Sequence, residues 1–444
     1  MQHVTSARFS GVSVVAAAAC VVLLAPSAHA AGSGKVVTEF AGGGAAAFDV
    51  VVQPDGRTVA AGTAGSAIAL TRYNTDGSLD PTFGTGGRVT TTIATFAARA
   101  NAVVVLGDGR ILAAGTRTQT ARTDPTRPPR LVAADFVLAR YAANGTLDPS
   151  FGSGGIVVTE FAPGSFDFAD DLAVQSDGRI VVAGEAAGDF ALARYTADGT
   201  LDATFGTGGK VTTDFAGRGG DEATGVVVQP NGRIVAAGFA IRPTTNTDFG
   251  VARYNADGTL DTTFGSGGRV ATNLGEVTDN GLTTEDQAAD VVVQPDGRVV
   301  LVGSAGVHEF ALVRYTAAGA LDGTFGRGGV VRTDVVTDGF LGGTDRAFGA
   351  APQPDGKIIA AGWSGDDDFA LVRYTANGAL DGGFGAGGKV LTKFSQSGSN
   401  RADAVTVLGD GRIVGAGNTW PGSAPTNFAL ARYTAAGVLD PTFG

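Results

Sequence analysis

"LDPTFG", residues 439–444, breaks off where six earlier relatives run on. Those relatives start at Leu79, Leu147, Leu201, Leu260, Leu321 and Leu380, and each passes through a glycine-rich turn into a strand-like segment such as "TGGKVTTDF" (207–215). The missing continuation lies at the other end of the chain. Residues 31–40 read "AGSGKVVTEF", and matched to "GTGGKVTTDF" they set Ala31 on the glycine that ends the motif, Gly444. A chain whose beginning completes its last repeat closes into a ring.

The repeating unit is marked by tyrosine. All seven tyrosines lie in an "RY" pair, at Tyr73, Tyr141, Tyr195, Tyr254, Tyr315, Tyr374 and Tyr433, with spacings from 54 to 68 residues. Around Tyr195 the unit reads "ADDLAVQSDG", "RIVVAG", "DFALARYTADG", "TLDATFGTGG", "KVTTDF" (169–215). Short apolar runs cut by Asp-Gly, Asn-Gly and Gly-Gly are strand and turn signals, and no window keeps a helical period. Each unit is therefore predicted to be four short strands in an antiparallel meander. Such a sheet cannot bury both faces alone but can do so packed radially against copies of itself. The predicted fold is all-β: a closed seven-bladed β-propeller, one domain over 31–444, with the N-terminal strand completing blade seven. An open solenoid would need polar caps at both ends, and none is visible.

With these motifs in seven copies, the chain resembles the bacterial delta-60 repeat, a family of uncharacterised extracytoplasmic proteins predicted to form propellers. The resemblance covers nearly all of 32–444. It implies the propeller fold and a surface or secreted setting, and brings no catalytic residues.

Residues 1–30 read as a secretory signal peptide. Arg8 is their only charged residue, an apolar run "VSVVAAAACVVLLAP" follows, and small residues at Ala28 and Ala30 form a cleavage site. The run is shorter than the ~20 residues a membrane span needs. Cys20, the one cysteine, lies within it, so the exported domain is expected to have neither disulfides nor thiol chemistry. The full chain carries a net charge of −11. Loss of Arg8 makes the remainder more acidic still, which disfavours nucleic acid and anionic lipid as partners. The expectation is a secreted or cell-envelope protein, monomeric, with no membrane insertion after cleavage.

Residues present in every unit are expected to build the ring. Each "RY" arginine precedes the "LD" aspartate by eight residues, as in Arg194 and Asp202, and a guanidinium–carboxylate pair would fix the intervening turn. The "FGxGG" glycines lead into a strand rather than a helix, which rules out a phosphate loop. "QPDG" at Gln53–Gly56 is a type I turn. "NADGTLD" (255–261), with Asn255, Asp257 and Asp261, and "DDDF" (366–369) lack EF-hand spacing and its closing Glu. An acid before "FAL" recurs as Asp189, Glu309 and Asp368, with Asn427 in blade seven. No cofactor is expected, with a structural calcium ion left open as the alternative.

In a meander, successive turns alternate between the two ends of the ring. The repeated turns, first and third in each unit, share one end. The second and fourth connections, which differ from unit to unit, share the other, and binding residues belong on such loops. The only two tryptophans, Trp363 and Trp420, fall in second connections of adjacent blades. With Asp366, Asp367 and Asn418 they suit a sugar ring, the indoles stacking and the polar groups bonding hydroxyls; crevice plugging is the plainer role. The Arg-rich connection of blade two (Arg117, Arg122, Arg127, Arg130) reads as a solvated insertion. His308, the only histidine beyond residue 30, occupies an ordinary repeat position. The expected function is a non-enzymatic scaffold binding an extracellular polysaccharide or protein through the variable end. The alternative is a carbohydrate-active enzyme using a carboxylate pair near the channel.

Deleting residues 31–40 should strip blade seven of a strand and sharply lower the thermal unfolding midpoint of the whole ring. An unchanged midpoint would refute closure by that strand.

Overall fold

The computed structural model describes residues 32–121, 130–215, 219–242, 246–275, 286–306, 309–336, 344–365, 368–394, 398–422 and 425–444. The leader (1–30), His308, Asp366, Asp367, Arg122 and Arg127 lie outside the described residues.

The described chain forms seven four-stranded antiparallel sheets. Blade three is typical: an inner strand Asp167–Val174, a second Ile180–Ala186, a third Asp189–Tyr195 and an outer strand Lys210–Thr213. The second and third strands are buried almost throughout because neighbouring blades cover both of their faces. Their apolar runs are continuous for that reason, where a one-sided sheet would alternate. Among the described residues the apolar core is not a single central one. Seven apolar wedges lie between successive blades, as where Ala183, Phe190, Leu192 and Phe205 of blade three meet Ala223, Ile234, Ala236 and Tyr254 of blade four. Burying one such phenylalanine fully contributes about 2–3 kcal/mol.

Blade seven takes Lys35–Thr38 as its outer strand, paired antiparallel to Asn427–Tyr433 with Lys35 opposite Ala431. The seam reproduces an internal turn. Gly34 accepts from Arg432 N at 2.9 Å as Gly87 accepts from Arg72 N at 3.0 Å, and Gly444 N donates to Asp76 as Gly84 N donates to Asn144. Gly34 thus takes the repeat position of Gly87 and Gly444 that of Gly84, the register the sequence alignment predicts.

Each "RY" pair fastens its blade on both sides. In blade three, Arg194 Nε bonds Asp202 at 2.9 Å and Nη2 bonds Thr204 at 3.1 Å. The same guanidinium lies 4.5 Å from the Phe205 ring centre and donates through Nη1 to the Ala256 carbonyl of blade four. Tyr195 donates back to Thr159, 2.8 Å away on the outer strand of blade two. Apart from the hydroxyl, which Gly383 replaces in blade six, the pattern runs through all seven blades and across the seam, where Arg432 donates to the Thr75 carbonyl and Tyr73 shares a 2.7 Å hydrogen bond with Thr38. The predicted Arg–Asp pair is present seven times, at 2.8–2.9 Å. Its reach into the next blade is what makes it a ring fastening as well as a turn brace.

Replacing Arg194 by Met should lower the urea unfolding midpoint by the equivalent of about 3 kcal/mol, because buried Asp202 loses its buried cation. The figure sits at the low end because Arg179 also reaches Asp202, at 2.9 Å. Tyr195→Phe should cost about 1 kcal/mol, one buried hydrogen bond. Equal costs for the two would contradict this division of labour.

Candidate functional site

The inner strands line a narrow channel, and each carries a β-bulge at the same place, as between Ala169 and Asp171. The bulge explains the glycine that ends the apolar run of every second strand. A Cβ on Gly184 would sit 1.9 Å from the Phe168 carbonyl oxygen, so only glycine fits against the bulge. The extra residue at each bulge faces the channel, and in blades one to five either it or the residue after it joins one blade to the next.

That joint alternates. Asp49, Asp171 and Asp290 of blades one, three and five each accept from the next amide of their own strand and from an amide of the following blade. The cross-blade donors are Val103 N at 2.6 Å, Val226 N at 2.7 Å and Ala350 N at 2.7 Å. Blades two and four use the bulged residue itself, Asn101 donating to the Ala169 carbonyl at 2.7 Å and Thr224 to that of Ala288 at 3.0 Å. At blade six the bulged residue is Phe348, which carries no polar group. In blade seven it is Asp403, held by Arg401 at 2.6 Å and Asn418 at 3.0 Å within its own sheet. These groups surround a cavity of about 120 Å³, room for about four waters.

Burial pushes these carboxyls up: Asp49 to about 7, Asp171 to about 6, Asp290 to about 8 and Asp403 to about 6. Asp290 is raised by burial first and by the nearby Asp171 second. Above the cavity, toward the variable end, the residue two before each bulge forms a rim of unlike side chains. It holds Arg99, Phe168, Glu222, Gln287, Arg346 and Arg401 on blades two to seven. Burial raises Glu222, and it raises Asp170 well above the usual carboxylate range, with the Glu222 charge the next cause for Asp170. Glu185, opposite Phe168, is pushed up to about 7 by burial and then by Glu222. One side of the rim is thus acidic, on blades three and four, and the other basic, on blades six, seven and two.

The predicted ligand-binding residues are partly brought together. Trp363 stands opposite Arg346 on the second strand of blade six, and Asn418 holds the same place opposite Arg401 in blade seven. Trp363 shares the side of its sheet that packs on blade seven, with Ile359, Ala361 and Phe369. Trp420 lies two residues beyond Asn418, on the side that meets blade one, and is 51% exposed. The indoles therefore share the variable end but open into successive crevices. Among the calcium candidates, Asp261 is held by Arg253 and Asp257 accepts from Thr259, so both serve their own turn. Asp189, Asp214 and Asp221 do converge, with ligand oxygens within 4.8 Å of one another. Asp221 there already accepts from the Phe215 and Ile241 amides. A larger cleft of about 670 Å³ opens at the other end, between blades five and six, lined by Gln294, Asp296, Arg298, Arg314 and Asp355. Those residues belong to the turns that recur in every blade, so they carry no individuality.

Sequence reading placed a possible carboxylate pair near the channel but named none of the channel residues. Their signal was present: an aspartate four residues before the turn glutamine in blades one, three and five, as Asp49 and Gln53, Asp171 and Gln175, Asp290 and Gln294.

The raised channel acids keep protons that the unfolded chain has released, so the stability they confer is full below about pH 4 and is lost as pH rises through their folded values. The turn aspartates act in the opposite sense. The Thr204 hydroxyl and then, against burial, the Thr204 amide and Arg194 hold Asp202 below the usual range. The thermal midpoint should therefore peak in mild acid, about pH 4–5, and fall by several degrees by pH 8. Calorimetry showing a flat or rising profile between pH 5 and 8 would exclude this.

Comparison with known proteins agrees with the architecture. A family model described as a domain of unknown function (DUF5122) beta-propeller matches residues 53–83, 131–151, 175–205, 229–264, 294–325, 353–384 and 408–443, one segment per blade. No curated protein matches. Among solved structures, a catalytically inactive virginiamycin B lyase from Staphylococcus aureus with quinupristin is similar at 10% identity and TM-score 0.52, over 89% of this chain and 98% of that one. A protein of unknown function from Dyadobacter fermentans is similar at 14% identity and TM-score 0.46, over 90% and 97%. A protein from Lactobacillus plantarum is similar at 12% identity and TM-score 0.46, over 86% and 97%. At such identities the likeness to the lyase speaks for the fold alone.

Proposed function

We propose, for a chain whose seven repeats match an uncharacterised β-propeller family, an exported, non-enzymatic scaffold that binds an extracellular polysaccharide or protein through the variable end of its ring. The observation that carries this reading is the division between the two ends. At one end every blade spends the same Arg, Asp and Phe on fastening itself to the next. At the other, equivalent rim positions hold Arg99, Phe168, Glu222, Gln287, Arg346 and Arg401, which no requirement of the fold makes unlike. A rigid frame carrying dissimilar residues on one end is the usual arrangement of a binding surface. The exposed Trp420 and the Trp363–Asn418 rim positions supply aromatic and hydroxyl-bonding groups there. Export rests on the leader-like residues 1–30. No cofactor enters this reading.

The competing reading, a carbohydrate-active enzyme, has one observation in its favour: at the channel mouth burial and then the Glu222 charge raise Asp170, as a general acid requires. Against it stands the cavity of about 120 Å³, well under the roughly 300 Å³ at which ligand pockets begin. Most of the channel acids are also committed to bonds within and between blades.

Titration with cell-wall and plant polysaccharides, followed by tryptophan emission, tests the scaffold reading. A saturable shift lost in Trp420→Ala, with the polymer recovered intact, is the expected result. Polymer cleavage abolished by Asp170→Asn would establish the enzyme instead.

A further inference from the structure

The crevice between blades six and seven differs in charge from its six counterparts. At the variable end of every junction three positions meet: the residue opening the third strand, the residue after the outer strand, and the residue three before the bulge of the next inner strand. In blade three these are Asp189, Asp214 and Asp221. The junction after blade two has Asp135, Glu160 and Asp167, and the one after blade five has Glu309, Asp334 and Asp345. After blade six they are Asp368, Lys393 and Asn400, with Lys393 Nζ 3.6 Å from Asp368. No other junction has a cation at any of the three positions.

The rim above this junction adds two arginines and three donors that lack acceptors. Arg346 and Trp363 face blade seven from opposite each other on blade six. Arg401 leans back from blade seven to lie 4.9 Å over the Phe348 ring. Among the described residues Arg346 has no ion pair or hydrogen bond through its side chain, and the buried Trp363 Nε1 and Arg401 Nε atoms have no acceptor. Buried donors are seldom left unmade, and two of them beside the unpaired, half-buried Arg346 call for an acceptor from outside the chain. The joint between inner strands fails at this place too, since Phe348 has no polar group to offer blade seven.

We propose that the variable end of the crevice between blades six and seven binds the carboxylate of an acidic polysaccharide. Arg346 and Arg401 supply the guanidinium contacts and Trp363 Nε1 a third donor. The guanidinium fork of Arg346 suits a planar carboxylate, Arg401 adds the Nε that its pair with Asp403 leaves over, and the aromatic faces of Phe348 and Trp363 suit the sugar ring that bears it. The proposal rests on the polysaccharide reading and narrows it to uronate-type chains.

The test uses the intact protein with polygalacturonate, neutral dextran and inorganic polyphosphate, by calorimetry at low and high salt. Expected are saturable binding of polygalacturonate, no binding of dextran, and at least a tenfold loss in Arg346→Gln. That variant sacrifices no existing side-chain bond, so its fold should hold, as unfolding temperature will show. Arg99→Gln, which removes the same charge from the rim position of blade two, should stay within twofold of the parent. Equal losses in both variants, or polyphosphate binding as tightly, would reduce the effect to general charge and overturn the proposal. Dextran binding unaffected by Arg346→Gln would overturn it while leaving the polysaccharide scaffold standing. Absence of binding by every glycan would remove both.

Discussion

Everything in this ring hangs on one guanidinium per blade. The arginine before each tyrosine meets a carboxylate, a hydroxyl in six of the seven blades, an aromatic face and a carbonyl of the next blade. Four kinds of contact at one planar group leave it little freedom, and that rigidity transmits the angle of each blade to the next. A lysine could match the charge but not the geometry. The tyrosine beside it points to the opposite face and binds the blade behind. Two consecutive residues thus orient a blade of about 60 residues relative to both neighbours.

This fastening explains why the fold could be read from the sequence and the site could not. Anything the ring needs, it needs seven times, and repetition turns a packing requirement into a visible motif. "RY", "LD" and "FG" are legible because Arg194, Asp202 and Phe205 recur with the same spacing in each unit. The spacing of Arg and Asp even discloses their contact. It does not disclose the bond to Ala256, because nothing local marks a main-chain carbonyl as an acceptor. The rim is the reverse case. Arg99, Glu222 and Arg346 occupy one structural position, yet their neighbours in sequence differ and no motif points to them. Only the register of bulged strands aligns them. Tryptophan drew attention to Trp363 because it is rare; its partner Arg346 was one arginine among many.

The channel shows what an odd number does to an alternating device. Aspartate joints on blades one, three and five alternate with amide and hydroxyl joints on two and four. A ring of six or eight could carry the alternation all the way round. With seven, two neighbours must break it, and here the break falls on blades six and seven. Asp403 turns inward to its own sheet and Phe348 takes no part. The local chemistry is thereby released from holding the ring together, and it is there that unsatisfied donors collect.

The seam has a consequence for how the molecule is made. Lys35 is among the earliest residues of the domain to leave the ribosome, and its partner Ala431 is among the last. Until then one blade lacks an edge strand, and a row of main-chain donors and acceptors stays open to any passing extended chain. Closure is the longest-range contact the molecule contains and belongs to the slow class of folding events. Six blades can assemble in order of synthesis, whereas the seventh must wait, and any quality-control machinery that reads open sheet edges has in this seam a single clear mark of an unfinished molecule.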